Sequence, residues 1–295
     1  MRTEPFDWVP ADMPRLPRSC LDGVCYLFPS EEAARTGKES GGTGFVVGMP
    51  SIDPKRIFPY VVTNHHVACT GGNSVIRLNT KDGGSDILDF GPDQWYFDPK
   101  YDIAVRSLPL DHERHTSAYI STDGFITKEM LEKHEIGVGE DVFMVGRFID
   151  HDGGAINQPA ARFGNLSVMP SPIQQPNGTM AEAYCIDLHS RSGYSGSPVF
   201  IYRTTGFGAW SDPNDLMIEK GILGLLGIHF AQFPELWEIS SGINKVRAPA
   251  SSVPLIVEGA YVKGLSGMSC VLPAWCILEV LDSPKLRDAR NAANG

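Results

Sequence analysis

A chain of 295 residues with 42% hydrophobic side chains can bury a sizeable core and hold one large domain or two smaller ones. Its formal net charge of −10, with no run of lysine and arginine, argues against nucleic acid as a partner, because phosphate neutralisation needs a basic face. No apolar run approaches the ~18 residues of a membrane span, and the opening MRTEPFDWVPADMPRLPRSC lacks the apolar centre of an export signal. A cytoplasmic protein without a membrane partner is therefore expected.

The 31 glycines and 22 prolines break the apolar residues into many short runs, a pattern of strands and turns. Cys20, Cys25, Cys69, Cys185, Cys270 and Cys276 read as free thiols in the absence of an export signal. Their spacing lacks the paired CxxC and nearby histidines of a zinc site, so no metal is expected, and the motifs taken up below call for no other cofactor.

Residues 1–21 form a Pro-rich extension. A first strand is expected over Val24–Phe28, followed by a polar loop over Ser30–Ser40. Turn glycines then run into a strand at Gly42–Val47, and Phe58–Thr63 is a further β-branched run ending at Asn64-His65-His66-Val67. Val75–Leu78, Ile87–Phe90 and Ile103–Leu108 continue the series, with no long amphipathic helix between them. This favours a sandwich or barrel over a doubly wound sheet. Residues 109–135 are polar, carry a short helix near Thr127–His134, and connect two halves. The strand rhythm resumes at Asp141–Gly146, Ala161–Met169, Ala183–Leu188, Pro198–Tyr202, Gly221–Phe230 and Gly242–Val246, which two barrels of comparable size would explain. After the apolar stretch Val271–Leu281, Ser283-Pro284 reads as the N-cap and first turn of a short terminal helix.

Chemistry concentrates in three places. Ser190-Arg191-Ser192-Gly193-Tyr194-Ser195-Gly196-Ser197-Pro198 is a turn of small residues leading into a strand. Gly193 and Gly196 flank Ser195, which suits a nucleophile whose own N–H and that of Gly193 face one developing oxyanion. His65 and His66 follow a strand, where a side chain can enter a cleft and where at least one of the two is structural. Asp102 precedes the apolar run Ile103-Ala104-Val105, where it serves as a turn residue or as a partly desolvated acid.

The order His, Asp, Ser, with the first two in one half and the third in the other, resembles the chymotrypsin-like serine proteases, in particular the HtrA-like and glutamyl-endopeptidase branches. Thr63-Asn64-His65-His66-Val67 is similar to the family's Thr-Asn-x-His-Val motif and thereby selects His66. Asp102-Ile103-Ala104-Val105 is similar to its Asp-Ile-Ala-Val motif, and Gly193–Pro198 to Gly-x-Ser-Gly-(Gly/Ser)-Pro. Gly42–Val47 resembles its first-barrel signature. The resemblance spans about residues 22–256. It implies an all-β fold of two six-stranded antiparallel barrels of chymotrypsin type (22–115 and 136–256) with the active site between them. Residues 257–295 remain as a C-terminal extension carrying the short helix.

It further implies a peptide hydrolase with His66, Asp102 and Ser195 as catalytic residues and the Gly193 and Ser195 amides as oxyanion hole. Ser190 and His229, with Gly227 and Phe230 beside them, would line a pocket for Glu or Gln on the acyl side of the scissile bond, or for small aliphatics if His229 is an ordinary strand residue. Two departures stand out. Tyr194 occupies the position where digestive relatives carry the aspartate of zymogen activation, and the residues after Ile256 are too few for a peptide-binding domain, so a stand-alone protease domain is expected. The long insertion before Gly221, with Phe207, Trp210 and Ser211-Asp212-Pro213-Asn214, reads as a recognition or regulatory loop. A regulatory partner protein is thus expected besides the protein or peptide substrate. The rival reading is a pseudo-protease that only binds peptides.

Overall fold

The run Val24–Phe28, buried at every position, becomes a strand between Gly23 and Pro29. The computed structural model describes residues 16–39, 41–51, 53, 56–190, 192–203, 222–238 and 261–293. The Pro-rich start, the 204–221 insertion and the strand expected at Gly242–Val246 lie outside the described residues. The first half contains α1 (Arg18–Asp22), β1 (Val24–Phe28), α2 (Glu31–Thr36), β2 (Gly42–Pro50), β3 (Ile57–Thr63), β4 (Val75–Asn79), β5 (Ser85–Asp89), β6 (Tyr96–Phe97) and β7 (Ala104–Ser107). The connection carries β8 (Ile120–Ser121) and α3 (Lys128–Lys133). The second half contains β9 (Asp141–Gly146), β10 (Ala160–Gln174), β11 (Met180–Asp187), β12 (Pro198–Arg203), β13 (Ile222–Glu238) and β14 (Tyr261–Pro273), followed by α4 (Ala274–Leu281) and α5 (Pro284–Ala292).

The fold is all-β with two sheets. In the second half the ladder β10-β11-β14-β13-β12-β9 closes into a ring of six antiparallel strands. In the first half, strand order β5-β4-β1-β2-β3-β7-β6 leaves the sheet open at both ends among the described residues, and β8 adds a short parallel pairing to β2. The open edge at β5 is guarded by charge: Asp86 bonds the Arg114 and His115 side chains of the segment after β7. The ring takes its sixth strand from Tyr261–Pro273, beyond the expected boundary at residue 256.

Three local differences have plain causes. The stretch expected as a loop over Ser30–Ser40 contains α2, which is too short for an apolar period and is made by its ends. Ser30 Oγ accepts from Ala33 N–H, Glu31 and Glu32 sit in the first turn, and Gly37 closes the helix at φ 69°. The apolar stretch Val271–Leu281 is divided by Pro273 into the end of β14 and the whole of α4. Pro284 opens α5 as expected, but the Ser283 side chain makes no capping bond.

The halves share one apolar core. Tyr26, Phe45, Val62 and Ile103 from the first sheet pack in the same cluster as Phe143, Phe200, Phe230 and Leu272 from the ring, with Ile277 and Leu281 of α4. Two buried arginines fasten the seam. Arg77 of β4 donates to Asn157 Oδ1, Ala34 O, Gly154 O and Ile156 O. Arg147, just after β9, pairs with Asp152 and donates to Gly37 O and Glu39 O, and both guanidinium groups lie over the Phe28 ring. Burial lowers the Arg77 pKa to about 10, which leaves it charged at neutral pH. Replacing Arg77 by Leu would strip four acceptors of their donor, two of them buried. The expected cost is roughly 3–5 kcal/mol, read as a lower urea midpoint at unchanged slope. A loss below about 1 kcal/mol would mean that Arg77 does not hold the seam.

Candidate active site

The first residues of β2 organise the site, because the histidine turn and the serine turn both pack against them. Thr43 N–H bonds Ser195 O at 2.9 Å, and Thr43 O accepts from Thr63 Oγ1 at 2.7 Å. Gly42 allows this approach: a Cβ there would collide with Val67. At the end of β3 the chain turns through a wide π-helical segment, His66–Thr70, which starts on the histidine. Asp102 lies just ahead of β7 and meets this turn with both carboxylate oxygens. Oδ1 accepts the His66 backbone N–H at 2.8 Å, and Oδ2 lies 2.6 Å from His66 Nδ1. Since a carboxylate only accepts, Nδ1 carries the proton and Nε2 is left as the basic nitrogen. The Asp102 side chain is 1% exposed and that of His66 30%. His65 is engaged elsewhere, its ring 4.3 Å from that of Phe97.

Ser195 stands on a turn that only glycine can make. Gly193 and Gly196 have φ of 97° and 85°. A Cβ on Gly196 would strike Thr43 O, and one on Gly193 would strike the Arg147 carbonyl. Arg147 N–H donates to Thr43 Oγ1, which donates to Gly193 O at 2.6 Å, so a short relay holds the 193–194 peptide. The next peptide is held from behind: Tyr194 O accepts from Ser197 N–H at 3.0 Å and from His229 Nδ1 at 3.2 Å. In a trans peptide the N–H points opposite the carbonyl, so the Ser195 N–H is directed away from His229. Tyr194 itself is fully buried in the ring's core. Among the described residues no hydrogen bond joins Ser195 Oγ to His66.

The expected pocket residues do not all share one role. Ser190 and His229 are buried close to the serine turn, and His229 N–H pairs with Ser197 O. Burial, helped by His66, pushes the His229 pKa down to about 4 against the pull of the Tyr194 and Ala231 main chain, so the ring is neutral at pH 7, and its buried Nε2 makes no hydrogen bond. Phe230 instead packs into the shared apolar core, and Gly227 serves close packing, since a Cβ there would collide with Leu272 O of β14.

Three contributors escaped the sequence reading. Thr43 lies inside a glycine-rich strand start that advertised only backbone. Asn64, whose Nδ2 donates to Asp102 O at 3.0 Å, sits within the histidine motif. Gln175, whose Oε1 accepts Asp102 N–H at 2.7 Å, comes from the β10–β11 turn of the other half, and only the turn residues Asn177-Gly178 marked its neighbourhood.

No family model matches the sequence, and no curated protein does either. Among solved structures the chain is similar to the protease domain of MamO from Magnetospirillum magneticum, at 16% identity and TM-score 0.45, over 91% of this chain and 100% of that one. It is also similar to an inactive mutant form of Rv3671c from M. tuberculosis H37Rv, at 17% identity and TM-score 0.45, over 90% and 87% of the two chains. The inactive form of Rv3671c protease matches at 17% identity and TM-score 0.43, over 90% and 89%.

Proposed function

We propose that the chain is a serine endopeptidase in which Ser195 attacks the scissile carbonyl and His66 takes its proton. His66 then returns the proton to the leaving amine, and Asp102 stabilises the imidazolium. The observation that carries this reading is the two-point grip of Asp102 on the His66 backbone and ring, which fixes the tautomer a general base needs. The Gly193 and Ser195 amides would receive the oxyanion, and removal of one such donor costs about 3–4 kcal/mol of transition-state stabilisation. A peptide-binding module without turnover is the second reading, favoured by the missing bond between Ser195 Oγ and His66.

In this reading Ser190 and His229 select the side chain on the acyl side. His229 Nδ1 faces a carbonyl and so holds the ring's single proton, leaving a lone pair on Nε2. A carboxamide can donate to that lone pair, whereas a carboxylate cannot unless His229 takes up a second proton. The pocket therefore favours Gln over Glu at neutral pH.

Labelling the folded chain with a fluorophosphonate is expected to place a covalent adduct on Ser195 that is lost in Ser195→Ala and His66→Ala; no adduct on the folded wild type would support the binding module. In a peptide library at pH 7, cleavage after Gln is expected to exceed cleavage after Glu about tenfold, one hydrogen bond's worth. His229→Ala should erase the difference, and a preference that survives this change would defeat the pocket assignment. The neutral imidazole also has a thermodynamic consequence. His229 binds its proton near pH 4 when folded and near 6.5 when unfolded, so between these values the unfolded chain holds more protons and stability rises with pH. Unfolding free energy should increase by roughly 3 kcal/mol from pH 4 to 6.5 on account of this group, and the increment should vanish in His229→Ala.

A further inference from the structure

Gln175 is a side chain of the ring whose polar atoms are spent on the loop that carries Asp102. It is 3% exposed and opens the five-residue turn between β10 and β11. Its Oε1 accepts Asp102 N–H at 2.7 Å, while its Nε2 donates to Lys100 O at 2.9 Å and to Thr179 Oγ1 at 2.7 Å. A backbone N–H can only donate and a backbone C=O only accept, so the orientation of this amide is dictated by its partners. The same turn adds Asn177 Nδ2 to Pro99 O at 3.1 Å and Thr179 Oγ1 to Lys100 O at 3.3 Å. On the opposite flank, α4 holds the loop through Glu279, which accepts from Lys100 Nζ and Tyr101 OH at 2.9 and 2.7 Å.

We infer that Gln175 is a positioning residue for the His66–Asp102 pair, setting from the second half where Asp102 stands in the first. The inference rests on the serine-protease reading for its consequence, though not for its geometry. Asp102 has its main-chain carbonyl held by Asn64, its amide by Gln175, and its carboxylate engaged twice with His66. Without Gln175 the amide loses its acceptor in a buried place, and the bonds that remain on the loop, from Asn177, Thr179 and Glu279, reach only Pro99, Lys100 and Tyr101, leaving the Asp102 main chain to Asn64. The carboxylate would then move by fractions of an ångström. In a bond of 2.6 Å between a carboxylate and an imidazole, that is enough to weaken the pair, and displacements near 1 Å can cost about a hundredfold in rate.

The test uses the full chain with ¹⁵N-labelled histidine. A proton held between His66 Nδ1 and Asp102 resonates far downfield, and it reports the pair whether or not the chain cleaves anything. Gln175→Met keeps the volume and removes both polar ends, and Gln175→Asn, which stays polar but withdraws the amide by one methylene, replaces it should the first variant not fold. Ala181→Gly weakens the same hairpin without touching the loop and serves as the structural control. The expected result is a downfield resonance in wild type and Ala181→Gly that is lost in the Gln175 variants, with fluorophosphonate labelling of those variants slowed about 10- to 100-fold. The inference is overturned if a Gln175 variant keeps the resonance, if the wild type lacks it, or if Ala181→Gly loses it equally. A wild type that shows the resonance yet takes no label would sink the protease reading alone, and the resonance in the variants would still decide the role of Gln175.

Discussion

A carboxylate withdrawn from water must be paired at every lone pair the protein can reach, and Asp102 imposes that demand on the site around it. Its side chain is 1% exposed and its carboxylate is engaged twice by His66, while its main-chain carbonyl and amide are held by Asn64 and by Gln175 of the β10–β11 turn. Each partner must arrive from its own element at hydrogen-bonding distance, so the elements cannot slide relative to one another without orphaning the carboxylate or a buried backbone group of the same residue. A requirement of electrostatics thus becomes a requirement on strand register and loop length. The Asp102 loop can be held in this way because Tyr101 and Ile103 on either side of the acid are anchored in the core.

The serine turn is shaped by a different constraint, close backbone approach. Gly193 and Gly196 take left-handed conformations and would collide with Arg147, Thr43 or Thr63 if they carried a Cβ. What the glycines permit, Thr43 enforces, with its amide on Ser195 O and its hydroxyl on Gly193 O. Where digestive members of the resembled family carry an aspartate, this chain buries Tyr194 in the ring core and bonds the Tyr194 carbonyl to His229 and Ser197. The turn is therefore held by neutral, internal hydrogen bonds and by apolar packing, which do not depend on a charged chain terminus.

Much of this was legible in the sequence, and what was hidden has a physical reason. Strands such as Val24–Phe28 and Asp141–Gly146 have the limits their apolar runs suggest, because turn residues or a change of polarity end them sharply. β14 was hidden because YVKGLSGMSCVLP, with Gly264 and Gly267, neither alternates nor runs apolar, and only its partners β11 and β13 make it a strand. α2 was hidden because its stability comes from caps rather than from an apolar stripe. Among site residues, those proposed to do chemistry sit in dense local motifs, whereas Gln175 and Thr43 act through bonds to residues 73 and 150 positions away. A side chain that works at such a distance leaves no local pattern, and His229 became informative only once its burial and its carbonyl partner were known.

The division of labour between the halves follows from these distances. The first half holds His66 and Asp102, the second holds the serine turn, and each is held partly by its own half and partly by a side chain of the other. Thr43 of the first sheet sets the serine turn, while Gln175 of the ring sets the acid loop. Each half is thus a template for the other, and the shared core with the Arg77 and Arg147 seam keeps the two templates in register. Any change that parts the seam would displace His66 and the serine turn relative to one another. Coupling of this kind favours a site that is either fully assembled or silent, because intermediate arrangements leave buried donors and acceptors unpaired.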